Sequence, residues 1–126
     1  EDKNGNIWFG TRVAEKDNAD KNNRTGKGGV TKFDGKKFVN YPKIKGFSDN
    51  DVYEIYKDNL DNLWISTIKN GLYKFDGKTF KNYAVPKAVM SVLKDKKGKI
   101  WLGCAGGLFR LNSEEIINVT TSGPWN

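Results

Sequence analysis

Lys32–Tyr41 reads KFDGKKFVNY and Lys74–Tyr83 reads KFDGKTFKNY, one decapeptide written twice, 42 positions apart, with two changes. A degenerate third version, RLNSEEIINV, begins at Arg110. Each is preceded by a related hexapeptide: GGVTKF from Gly28, NGLYKF from Asn70 and GGLFRL from Gly106. Further upstream stand DKNGNIWFGT from Asp2, DNLDNLWIST from Asp58 and DKKGKIWLGC from Asp95. Two more apolar stretches, DVYEIYKD from Asp51 and AVMSVLKD from Ala88, precede only the second and third copies.

Every piece is a short run rich in Ile, Val, Phe, Tyr and Trp, bounded by Gly, Asp and Asn, which is the composition and length of a β-strand. Asp34-Gly35 and Asp76-Gly77 suit two-residue hairpin turns with a positive φ. DKNGN and DKKGK suit a slightly longer turn in which Gly supplies the left-handed residue. No segment carries a 3.6-residue apolar period, so the expected class is all-β.

The tryptophans fall at 8, 64 and 101, steps of 56 and 37. The longer step contains a polar tract, Arg12–Lys27. Without its 14 surplus residues the period is about 40, and four short antiparallel strands per such period make a β-propeller blade. The expected architecture is therefore about three blades in one segment, 1–126, with repeats near 1–42, 48–84 and 87–121 and an insertion loop at 12–27. The first blade lacks its inner strand. Trp8, Trp64 and Trp101 recur in one place per blade, as do Gly29, Gly71 and Gly107; the tryptophans are expected to pack between adjacent blades rather than to form a stacking platform for sugars. Lys32, Lys74 and Arg110 are expected to lay their stems over aromatic rings, and Asn40, Asn82 and Asn118 to bond loop backbone.

The motifs D-x-x-G-x-I-W-x-G-T, G-G-L and F-D-G-x-x-F-x-x-Y resemble the two-component regulator propeller repeats. The resemblance covers nearly the whole chain outside the insertion and the last few residues. Asn62 before Leu63, Ser66 in place of Gly10 and Gly103, and Asn112-Ser113 in place of Asp-Gly depart from it. The resemblance implies a periplasmic or extracellular module that senses or binds a ligand, often suspected to be carbohydrate-derived, without catalysis.

Composition narrows the chemistry. The chain has no histidine, which removes the Ser-His-Asp and Cys-His arrangements and nearly every catalytic zinc site. That absence also disfavours a streptogramin-lyase-type propeller, whose turns are similar but whose chemistry relies on a histidine. Cys104 is the single cysteine, and its apolar setting predicts a buried, inert thiol. No cofactor or metal is expected; DNADKNN offers oxygen ligands but lacks the EF-hand glycine and terminal glutamate. The formal charge of +7 comes from dispersed lysines, which does not point to nucleic acid. No apolar run approaches the roughly 20 residues of a membrane-spanning helix.

Antiparallel order sorts the connections by end. The tight DxxG and DG turns emerge on one face, while the insertion and the interblade links emerge on the other. Long loops on a rigid scaffold are where binding concentrates. The candidate ligand-contacting residues are accordingly Arg12, Lys16, Asp17, Asp20, Arg24 and Lys27, the ligand a small molecule or glycan, and the catalytic set empty. A lectin-like oligomer with repeated interblade pockets is the alternative. Three blades leave two open faces, so the expected partner is a second copy or the rest of a longer propeller.

Overall fold

In a computed structural model, which describes residues 1–12, 28–41 and 52–122, eleven antiparallel strands form three sheets and no α-helix occurs among the described residues. The first sheet joins β1 (Ile7–Thr11), β2 (Gly29–Phe33) and β3 (Phe38–Tyr41). The second joins β4 (Val52–Lys57), β5 (Leu63–Thr67), β6 (Leu72–Phe75) and β7 (Phe80–Tyr83). The third joins β8 (Val89–Lys94), β9 (Ile100–Cys104), β10 (Gly107–Asn112) and β11 (Glu115–Asn118), followed by a 3₁₀ turn at Thr120–Ser122. Within each sheet sequential strands pair, as in propeller blades, and among the described residues the first sheet has no strand at the position of β4 and β8.

Alternation along β5 shows how the blades stack. Trp64 belongs to a core with Tyr83, Val89, Val92, Ile100 and Leu102, between the second and third blades. Its neighbour Ile65 faces the other way, into a core with Val30, Val52 and Tyr73, between the first and second. Both faces of the middle blade are covered, and all five residues of β5 are buried. The edge strands β4 and β8 pack beside each other, and the Glu54 carboxylate accepts the Val92 amide across that seam at 2.7 Å.

The turns keep their design through substitution. Gly5 and Gly98 have φ of 79° each, and in the second blade Asp61 takes the same place with φ 64°. The departure from the repeat is thus at Asp61, not at Asn62, which is the counterpart of Asn6. An aspartate tolerates the left-handed region better than most residues, and here its carboxylate accepts the Lys3 amide at 3.0 Å, tying the first blade to the second. At Asp34 and Asp76 the central pair is displaced by one residue from Asp-Gly. The amide of Asp34 donates to Lys37 O, and that of Asp76 to Thr79 O. Gly35-Lys36 and Gly77-Lys78 lie at the centre, while each aspartate accepts the amides two and three residues on (2.8–2.9 Å). In the third blade Asn112 pairs with Glu115, leaving Ser113-Glu114 as the turn, with Ser113 at φ 57°.

Candidate functional site

Three aspartates organise the short-turn face. Asp2, Asp58 and Asp95 each accept two backbone amides of their own turn through Oδ1. Each also accepts the indole N–H six residues ahead through Oδ2: Trp8 at 2.8 Å, Trp64 at 3.0 Å and Trp101 at 2.9 Å. The carboxylate therefore does for the turn what a cap does for a helix, and also fixes the indole. The six-residue Asp-to-Trp spacing stood in all three copies of the sequence. Only the fold shows that it closes a hydrogen bond.

Depth separates the three. Asp58 is 2% exposed, while the other two lie nearer solvent. Burial raises the Asp58 carboxyl, but the Trp64 indole, the Asn62 side chain and the turn amides outweigh it and hold the pKa at about 2. At Asp2 burial is likewise outweighed by Trp8, Asn6 and the Asn4 amide, again to about 2. The Trp101 indole and the Lys99 amide lower Asp95. A carboxylate held this low is a poor proton carrier near neutrality, so these groups serve structure. Because their folded pKa lies below the unfolded value, their stabilisation is present above about pH 4 and is lost as pH falls toward 2. Acid titration followed by tryptophan fluorescence should show unfolding in that window, and Asp58→Asn should lose much of the pH dependence.

The recurrent cations sit as expected, Lys32 over Trp8, Lys74 over Trp64 and Arg110 over Trp101, at 5.9, 5.4 and 5.5 Å from the ring centroids. Trp8 reaches Phe75 of the next blade at 5.3 Å. Trp64 is 5% exposed. Interblade packing is thus the role of both. Asn82 donates to the Asn70 carbonyl at 2.6 Å and Asn118 accepts the Thr120 amide, while Asn40 accepts the Thr31 hydroxyl. Cys104 is half-buried rather than fully buried, and burial pushes its thiol up to about 11, leaving it protonated at neutral pH.

Two grooves open between blades on the short-turn face. They are lined by equivalent residues: Asp2, Trp8, Lys32 and Tyr41 in one, Asp58, Trp64, Lys74 and Tyr83 in the other. Their volumes differ, about 170 and about 350 Å³, and only the second reaches the size usual for a ligand pocket.

On the loop face the inner strands carry a feature the sequence did not announce. Both contain a β-bulge at the same place, between Val52 and Glu54 and between Val89 and Ser91. The bulge leaves Tyr53 and Met90 as unpaired extra residues, 40% and 48% exposed. Bulges re-aim side chains and gather near functional sites. Arg12, just after β1, holds its guanidinium 4.8 Å from the Tyr53 ring centroid. Thr11 pairs with Gly29, so β1 ends and β2 begins on this face. Of the sequence-derived candidates Arg12 is placed here; Lys16, Asp17, Asp20, Arg24 and Lys27 lie outside the described residues. The sequence hides this site because a bulge depends on strand register, which the apolar spacing of Val52 and Ile55, or of Val89 and Val92, leaves open.

Three stacked four-strand units, one short of a strand, define a β-propeller module. The family model for the two-component regulator propeller matches residues 46–69, the segment holding β4, the Asp58 turn and β5. Over those residues the chain is similar to that family's propeller repeat. No curated protein matches it.

Proposed function

We propose that the chain is a non-enzymatic ligand-binding module of the sensing kind, taking its ligand on the loop face above the ends of β4 and β8. The observation that carries this reading is the bulged Tyr53 beneath the Arg12 guanidinium at the root of the insertion. An exposed aromatic ring beside a fixed cation matches a sugar with an anionic group: the ring takes the apolar sugar face and the guanidinium the anion. Met90 extends the apolar side, and Lys16, Arg24 and Lys27 of the insertion add positive charge, with Asp17 and Asp20 available for hydroxyls. On this reading the module works in the periplasm or outside the cell.

Calorimetric titration with uronate-containing oligosaccharides tests the reading. One ligand should bind per chain, and Tyr53→Ala or deletion of Val13–Gly26 should weaken binding at least tenfold, whereas Lys74→Ala should leave it unchanged. A second reading draws on the two equivalent grooves of the short-turn face, each with a lysine over an indole. It expects two sites per chain, loss at one of them in Lys74→Ala and indifference to the deletion.

A further inference from the structure

The two grooves of the short-turn face follow one plan, yet they differ in what fills them. In the first, the Asp61 carboxylate reaches across from the second blade to take the Lys3 amide at 3.0 Å, and the Phe75 ring forms part of the wall. In the second, Gly98 stands at the place of Asp61 and Leu111 at that of Phe75. The bridge is gone and the wall recedes, in keeping with the step from about 170 to about 350 Å³. Charge separates the grooves as well. The first lining sets Lys3 and Lys32 against the carboxylates of Asp2, Asp61 and Asp76. The second holds Asp58, Glu114, Lys74 and Lys94. Two ion pairs of opposite sense span the blades there: Lys94 of the third to Asp58 of the second at 3.3 Å, and Lys81 of the second to Glu114 of the third. They use every charge of that lining except Lys74. Its side chain is half-buried, with the ammonium 5.4 Å from the Trp64 ring centroid, and it pairs with no carboxylate among the described residues.

We propose that the groove between the second and third blades binds a small organic carboxylate, its anionic group on the Lys74 ammonium and its apolar body against Leu60 and Leu111. The indole beneath holds the lysine in place, so little ordering is needed when the anion arrives. A cation drawn part-way out of water without a counter-charge gains more from an anion than a fully solvated one does. Leu60, 71% exposed, offers apolar surface that a ligand would cover. The volume lies at the lower end of ligand pockets, which suits a compact ligand rather than a saccharide chain. The first groove has about half the volume and a lining in which carboxylates outnumber lysines, so it does not take the anion. The site is separate from the loop face, and it is one site per chain, not a repeated pair.

NMR titration of the isotope-labelled chain with benzoate provides the test. Signals of Trp64 and of the residues around its groove should shift while the Trp8 indole stays unmoved. Benzamide, the same ring without the charge, should bind at least about tenfold more weakly; this comparison uses the unaltered chain and does not depend on how a variant folds. Lys74→Gln should weaken benzoate binding by a similar factor, Lys74→Arg should retain it, and Leu111→Phe should abolish it by restoring the wall of the first groove. Lys32→Gln and Tyr53→Ala should change nothing, and the Tyr53 variant separates this site from the loop-face reading. No shift with benzoate, equal shifts at the two grooves, equal binding of benzoate and benzamide, or undiminished binding by Lys74→Gln would each overturn the proposal.

Discussion

Asp58→Ala should destabilise the chain by about 3–5 kcal/mol, the range for breaking a buried charge pair by removing one partner. The carboxylate accepts the indole N–H of Trp64, the amides of Leu60 and Asn62, and the Asn62 side chain. It also takes the Lys94 ammonium at 3.3 Å, the side chains being 1% and 17% exposed. Alanine leaves an indole donor inside the core between the second and third blades and a lysine that has lost its counter-charge. Unsatisfied buried donors cost more than the bonds themselves contribute. The same change at Asp2 or Asp95 removes the same turn bonds from more exposed ground, and the loss should be clearly smaller. Urea unfolding of the three variants should order them with Asp58 first; equal losses would mean that the turn bonds, and not burial of the Asp–Trp pair, carry the effect.

Gly71→Ala should cost about 3 kcal/mol, while Gly77→Ala should cost only about 1 kcal/mol, although both glycines have positive φ, 78° and 98°. Left-handed backbone alone costs an alanine roughly 1–2 kcal/mol, and that penalty is common to the two. The difference lies in the surroundings. A Cβ at Gly71 would sit 2.4 Å from Tyr83 O and 2.8 Å from Val85 N, backbone atoms that cannot swing aside, whereas at Gly77 nothing lies within 4 Å. Gly71 O also accepts the Thr67 amide and hydroxyl at 3.0 and 2.7 Å, so any shift to relieve the overlap pulls on a fully buried threonine. Thermal unfolding of the pair separates conformational strain from crowding. If both variants melted alike, crowding against β7 would have no part in the requirement for glycine.

The repeat was legible because local chemistry carries it. Alternating aromatic and β-branched residues specify strands, and Gly, Asp and Asn specify where they turn. The 42-residue recurrence of KFDGKxFxNY then orders those strands into blades without reference to any long-range contact. The Asp-to-Trp spacing was equally visible. Its meaning was not, because whether an indole reaches a carboxylate six residues back depends on the turn's three-dimensional course.

The candidate site was legible only at its margin. Arg12 was named from the break in the repeat, but Tyr53 and Met90 read as ordinary members of alternating strands. Their exposure follows from a one-residue slip against β5 and β9, and a slip of one residue reverses the face a side chain takes. Likewise three tryptophans identical in pattern end in different environments: Trp64 is sealed between two blades, while Trp101, under the Arg110 guanidinium, is only half-buried. The sequence by itself determined the unit, its strands and its turns, because these depend on neighbours a few positions away. Burial, register and the contacts between blades were decided only by the tertiary structure, because each depends on residues some 40 positions distant being brought alongside.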